Sequence, residues 1–399
     1  MGIFLRRHRG LYSLSGIAKL GIVMFVISLA YAMVDTIWAV YLQSIFHNVS
    51  IISFVSAFIT FIAFISFFIL IPIVERNNKS KLFKISLFFI GISYLIFFIS
   101  RSMAIFFVAA ILWAFFTSLR INAFGIIIRD KSSNKKLSRN EGLIYTFFNL
   151  AWLIGPLIAG FVSDKYGVPI IFPLAAAFIF LGLFMFKISK INDSNITKKV
   201  HGNVFKNFIS FFKSKDRTKA YILGGGVNSW LILIYLYTPL MIINSHLGDI
   251  WIGYFLASFV IMPILFEYYF SKIAGKVGFK RMFQTGFLIL GLAALVCFFI
   301  SNIYIIMGIL AISSIGIAMI EPTTEAYFFD ILKKKKEESL YYGPYNTTIE
   351  VSYFIGSFIC GLLLLFIPFK SIFLVFSAFM AIYFIVSFSM KDVKEDGKR

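Results

Sequence analysis

Six ionisable side chains stand inside long apolar stretches of this chain: Asp35, Glu267, Glu321, Glu325, Glu350 and Arg120. At the middle of a bilayer span such a charge costs about 2.5–3.5 kcal/mol even on the lenient insertion scale, so each is expected to face a cavity or a partner. Carboxylates placed this way can take up and give back protons, or meet a cation. A structural ion pair or an end residue reaching for the interface explains any single one of them equally well. Asp35 lies in the outer half of its stretch, with Trp38 and Tyr41 at i+3 and i+6 broadly along one face. Glu321 and Glu325 are four residues apart and share a helix face, which favours a shared proton, and Pro322 beside them removes a backbone donor. Glu325 stands near the end of its stretch, where plain solvation is the alternative. Glu350 aligns with Asn149 of the first half, and Glu267 approaches the boundary of its own stretch. Trp38, Tyr41, Trp152, Trp230 and Tyr235 could stack on an organic substrate or cation. With 19% aromatic residues in the chain, lipid-facing or interfacial placement is the default for any one of them.

The elements that must position these groups are twelve apolar stretches, approximately 16–44, 49–74, 82–100, 103–128, 142–163, 168–189, 219–244, 250–272, 281–300, 303–329, 340–366 and 370–390. At 1.5 Å per residue, helices of that length cross a hydrocarbon core of about 30 Å. Of the 38 Lys and Arg, 34 fall in the termini, in every second connector or at the span ends beside them; Arg101, Lys165 and Lys370 occupy the opposite loops and Arg120 the interior of a span. Such asymmetry places the basic side, and with it both termini, in the cytoplasm of a multi-pass plasma-membrane protein. The chain is thus expected to be an all-α polytopic membrane protein of twelve transmembrane helices in two pseudo-symmetric six-helix bundles.

Composition narrows the function classes. The chain has 60% hydrophobic and 14% charged residues, against about 45–50% and 25% in soluble domains. Its net charge of +20 is accounted for by loops facing anionic headgroups, so no nucleic-acid partner is expected. The first stretch is too long for a signal-peptide core and reads as a retained helix. Cys297 and Cys360 lie in apolar spans with no nearby His or second Cys, and small apolar packing is their default.

One long connector divides residues 1–190 from 219–399 as two six-helix bundles, with a cytoplasmic linker at 191–218. Phe205, Phe208, Phe211 and Phe212 form an amphipathic stripe in it, suited to a helix lying in the headgroup plane; a partner-binding segment is the alternative. The halves repeat weakly at an offset of about 200 residues: Asp130 and Asp330 end matching spans, and Gly142, Gly155 and Gly160 match Gly343, Gly356 and Gly361. Paired bundles of this kind are the architecture of secondary transporters, with the substrate between the halves near mid-bilayer.

Over essentially its full length the chain resembles the major facilitator superfamily, most nearly the drug/proton antiporter group. The run Gly155-Pro156-Leu157-Ile158-Ala159-Gly160 is similar to the family's fifth-helix motif Gly-Pro-x-x-Gly-Gly, with Ala159 in place of one Gly. Small residues let helices approach closely and Pro bends the span; tight packing without any role in coupling is the alternative. The loop signature after the second helix is degenerate, keeping Arg76 and a basic Lys79, with Glu75 for Asp and Asn78 for Gly; the second-half copy keeps Gly278 and Lys280. The resemblance implies that Glu75, Arg76 and Lys79 pair with Asp130 to brace the cytoplasmic side in one state, with Lys280 and Asp330 as counterparts; solvated loop charges are the alternative. It also implies that the first and fourth helices line the cavity, making Asp35 and Arg120 partners.

An enzyme would need a nucleophile and base or metal ligands, yet the four His lie in termini and loops and no catalytic or nucleotide-binding motif occurs. A channel would show re-entrant segments rather than complete spans in two repeats. A carrier without cofactor or metal is expected, acting as a monomer on a small molecule and protons. Five intramembrane acids against one base favour proton-coupled efflux of lipophilic or cationic compounds; Asn122, Asn149, Asn228, Gln43 and Gln284 leave uptake of a sugar or nucleoside as the alternative.

Overall fold

Asparagine at the short loops starts several of the long helices. Asn48 caps α2 (Val49–Arg76) by accepting from the Ser50 and Ile51 amides at 2.9 and 3.2 Å. Asn78 does the same for α3 (Lys79–Ile99) at Lys81, and Asn302 for α12 (Ile303–Ile331) at Tyr304 and Ile305. Each cap satisfies amides that would otherwise be orphaned at a membrane boundary. Inside the spans hydroxyls bond back to their own helix, as Thr36 does to the Ala32 carbonyl at 2.6 Å and Ser66 to Ile62 at 2.7 Å.

The computed structural model describes residues 16–100, 102–131, 137–189, 204–332 and 335–391. Among them every regular element is helical, and eleven helices are long and apolar enough to cross a membrane. The remaining elements are α1 (Gly16–Phe46), α4 (Met103–Lys131), α5 (Leu137–Tyr166), α6 (Ile171–Ile188), α7 (Val204–Phe211), α8 (Lys215–Ile232), α9 (Thr238–Asn244), α10 (Asp249–Val277), α11 (Phe279–Phe299), α13 (Lys335–Asn346), α14 (Thr348–Leu363) and α15 (Ile372–Phe388). Helix α1 packs on α5 and α6, and α3 on α4 and α6; α8 packs on α12, α14 and α15, and α11 on α12 and α15. Between these two groups, α2 lies along α14 and α5 along α10.

Two expected spans are not continuous α-helices. The stretch expected at 340–366 is divided at Thr347 into α13 and α14, the latter 16 residues long. Pro344 cannot donate, and the break is satisfied by Thr347 Oγ1 on the Pro344 carbonyl (2.7 Å) and by α8: Tyr221 OH pairs with Thr347 Oγ1 at 3.0 Å and Thr348 Oγ1 donates to the Tyr221 carbonyl at 2.8 Å. The stretch at 219–244 passes through a π-turn at Leu233–Tyr237 between α8 and α9. Pro239 leaves the Tyr235 carbonyl without its amide, and Thr238 Oγ1 reaches back five residues to Leu233 at 2.8 Å.

The linker stripe packs against protein on both sides. Phe205 and Phe208 of α7 pack edge-on against Phe68 of α2, at 6.2 and 5.1 Å between centroids. Phe211 is completely buried against Tyr221, Phe328 and Tyr341 of the second group, while Phe205 stays 62% exposed. Arg217 locks this end by donating to the Phe211 and Ser210 carbonyls, both at 3.0 Å, with its guanidinium 4.1 Å from the Tyr341 ring centre. Phe211→Ala is therefore expected to cost about 3 kcal/mol of stability, and Phe205→Ala little. Thermal unfolding of the purified variants measures both.

Candidate functional site

Asp35 lies midway along α1, one turn beyond Tyr31, and keeps part of its surface accessible although it is far from either helix end. Arg120 of α4 and Tyr94 of α3 stand within electrostatic range of it from the same group of helices. From the other group come Tyr235 of the π-turn and Tyr353 of α14, each in range of both Asp35 and Glu321. The two tyrosines thus connect the acid of α1 with the acid of α12 across the middle of the molecule. Trp152 of α5 packs edge-on against Tyr235 at 5.4 Å, and its indole nitrogen has no hydrogen-bond partner among the described residues. Asn149, one turn before Trp152 on α5, is half-buried.

Arg120 is held by an aromatic side chain. Its Nε donates to the Tyr31 hydroxyl at 3.1 Å and its guanidinium carbon lies 4.3 Å from the Tyr31 ring centre. The same hydroxyl pairs with Thr117 Oγ1 at 3.1 Å. Among the described residues no ion pair joins Arg120 to Asp35, so the expected partnership is through space. Neither Tyr31 nor Thr117 was anticipated from the sequence. The available signal was that Tyr31 sits four residues before Asp35, on its face.

On the second group, Glu321 keeps part of its surface accessible although it lies well inside α12. Glu267 of α10 and Glu325 of α12 stand within electrostatic range of it, and Glu325 accepts from the Tyr342 hydroxyl at 3.1 Å. Glu350 stands apart from that trio, in the first turn of α14 just after the break, near Tyr221. Among the described residues, every Lys and Arg of this group sits in a loop or within two turns of a helix end, so none stands as deep in its helix as Glu321. Among the described residues no three His, Cys, Asp or Glu are placed to hold a metal ion.

The other aromatic candidates are placed differently. Trp38 and Tyr41 join Phe97, Phe106 and Trp113 in an aromatic cluster within the first group; Trp38 and Trp113 are 5.1 Å apart, and Tyr41 donates to the Phe97 carbonyl at 3.0 Å. Trp230 is completely buried.

The two helix groups approach closely at the short-loop end. Gly160 of α5 lies against Gly253 of α10: a methyl added at Gly253 would sit 2.5 Å from the Pro156 carbonyl oxygen and 3.1 Å from the Gly160 Cα. Gly155, one turn earlier, packs within its own group, against Ala32 of α1. Ser53 of α2 and Tyr237 share a buried hydroxyl pair at 2.8 Å, and Gly361 of α14 abuts Phe54. At the basic end Arg76 is exposed, Lys79 is buried, and Lys280 donates to the Phe388 carbonyl at 2.8 Å. Asp330 is half-buried at the end of α12. The side chains of Glu75 and Asp130 lie outside the described residues, and with them the expected brace.

These positions can be compared with known proteins. An uncharacterized MFS-type transporter of Methanocaldococcus jannaschii is 26% identical over 238 residues, covering 57% of this chain and 60% of that relative's length. Solved structures share the fold at low identity. A POT family transporter crystallised with 5-aminolevulinic acid superposes with a TM-score of 0.79 at 14% identity, covering 94% of this chain and 95% of that one. The nucleoside transporter NupG superposes with a TM-score of 0.74 at 11% identity, covering 95% and 100%. The family model of the Major Facilitator Superfamily matches residues 20–266 and 229–399, and the chain belongs to that family of multi-pass membrane transporters.

Proposed function

We propose that this transporter is a proton-coupled exporter of small lipophilic or cationic organic compounds, working by alternating access between its two helix bundles, residues 1–190 and 219–399. The observation that carries this reading is the charge division of the central region. Asp35 is within electrostatic range of Arg120 on one side, while on the other Glu321 is within range of Glu267 and Glu325, with no described Lys or Arg at its depth. Clustered carboxylates without a base are stabilised by protons or by a bound cation, and exchange of one for the other is antiport. Trp152 and Tyr235 beside them supply aromatic surface for an organic cation. The basic side, with 34 of the 38 Lys and Arg, is assigned to the cytoplasm, and the close Gly160–Gly253 crossing to the extracellular end. On this reading the crossing closes the outer end.

The test is flux of tetraphenylphosphonium in proteoliposomes under an imposed pH gradient, scored for direction. Proton-driven movement of the cation from the cytoplasmic to the outer face is expected. Glu321→Gln is expected to weaken binding of this cation about tenfold, the loss of one solvated charge contact of about 1.4 kcal/mol, and to leave binding of a neutral lipophile unchanged. A second reading, proton-coupled uptake of a polar metabolite, draws on the fold shared with the nucleoside and peptide transporters. Inward flux of one such metabolite with no response to the lipophilic cation would favour it.

A further inference from the structure

We infer that Tyr31 is a positioning residue: it sets how closely Arg120 stands to Asp35, and so the pH at which Asp35 takes its proton. The inference rests on the proton-coupled reading above. Tyr31 and Asp35 share a face of α1, four residues apart. Arg120 is bound twice by Tyr31, through Nε to the hydroxyl at 3.1 Å and through the guanidinium over the ring at 4.3 Å. A phenol oxygen that accepts from Arg120 has its own proton left to donate, and Thr117 Oγ1 at 3.1 Å is placed to receive it. The ring is braced edge-on by Tyr94, with centroids 6.4 Å apart, and is 7% exposed. The Tyr31 ring is thus braced by a residue other than Arg120 and Asp35, and its hydroxyl is shared between Arg120 and Thr117.

The described groups within electrostatic range of Asp35 are Arg120 from α4, Tyr94 from α3, Tyr235 from the π-turn and Tyr353 from α14, and Tyr31 lies one turn before it on its own helix. Arg120 is the one cation among them, and it is always charged. Its effect on Asp35 is a matter of distance alone. Parked on Tyr31, it leaves the carboxylate without an ion pair and open to a proton. Released, its five donors are free to turn toward Asp35, one helical turn along α1 from Tyr31, and a guanidinium seated there would compete directly with the proton. The Tyr31 hydroxyl holds the first arrangement in this state. Transfer of Arg120 from Tyr31 to Asp35 is the step by which the other state would expel the proton.

The test is an infrared pH titration of the full-length protein carrying 13C-labelled aspartate; the protonated carbonyl band missing from Asp35→Asn belongs to Asp35. Tyr31→Phe keeps the ring and removes the oxygen. It is expected to move the midpoint of that band down by about one pH unit, about tenfold in proton affinity, and to move the pH profile of transport the same way. Thr117→Val is expected to shift the midpoint in the same direction by less, and decides the matter if Tyr31→Phe does not fold. A midpoint that stays in place, or rises, overturns the assignment. If Asp35→Asn leaves proton-driven transport intact, the coupling reading fails, while the infrared midpoint of the Tyr31 variant still tests the positioning role on its own.

Discussion

Asp35→Asn is expected to reduce proton-driven transport by at least about 100-fold, the scale of losing an essential proton-transfer group, while exchange of substrate without a gradient persists. The reason is local. Asp35 is the carboxylate that the first group of helices contributes to the central region, and it alone is in range of Arg120, Tyr235 and Tyr353 together. Asparagine keeps the shape and loses only the ionisable proton. The fold should survive, because Asp35 makes no hydrogen bond or ion pair that the substitution would break among the described residues, and Arg120 remains seated on Tyr31. Arg120→Ala has a different expected outcome. It strips Tyr31 of its guanidinium and leaves Asp35 without a countercharge, so both coupling and stability should fall. The double variant Asp35→Asn, Arg120→Ala should recover part of that stability, since no charge is then left unpaired. A double-mutant cycle on thermal unfolding should give an interaction of about 0.5–3 kcal/mol; additivity would show that the two groups do not sense each other. Full proton coupling in Asp35→Asn would remove this carboxylate from the mechanism.

The spans were legible in the sequence because bilayer crossing requires length and apolarity, both visible locally, and because Asn48, Asn78 and Asn302 mark helix starts at the short loops. The in-span acids were legible for the converse reason, being the residues that apolarity does not explain. What could not be read were features that depend on distant partners. Pro344 signalled some disturbance, but the break at Thr347 depends on Tyr221 supplying both an acceptor and a hydroxyl from another helix. Tyr31 is one of 19 tyrosines, and its distinction comes from Arg120, 89 residues further on. The linker stripe was visible as amphipathic, yet a sequence pattern gives a face and not its occupant; here Phe68 of α2 and Phe328 of α12 take it up. Trp38 and Trp230 show the same limit, since an aromatic residue near a charge can equally belong to the packing. Gly155 and Gly160 stood out as a motif on α5, while the glycine that Pro156 and Gly160 meet, on α10, belonged to none.

That glycine is the subject of the second large effect: Gly253→Val is expected to force the short-loop end of the transporter open and cut transport at least about tenfold. A methyl at Gly253 would lie 2.5 Å from the Pro156 carbonyl oxygen and 3.1 Å from the Gly160 Cα. These neighbours are backbone atoms, so no side chain can turn aside and the helices themselves must separate. Overpacking of this kind costs about 1–3 kcal/mol, and here the cost falls only on the state in which α5 and α10 touch. About 1.4 kcal/mol moves a two-state equilibrium tenfold, so the population should shift to the state in which that end is apart. Spin labels at Ser44 and Ser245, both exposed at this end and on opposite helix groups, report the separation once the buried Cys297 and Cys360 are replaced. The expected result is a longer distance in Gly253→Val than in the parent protein. Gly308→Val is the matched control, because nothing lies within 4 Å of a methyl at that position. If Gly253→Val keeps both the parent distance and the parent flux, the Gly160–Gly253 crossing is packing and not a gate. If the distance lengthens while flux is retained, closure of this end is not needed for transport, and alternating access through it is excluded.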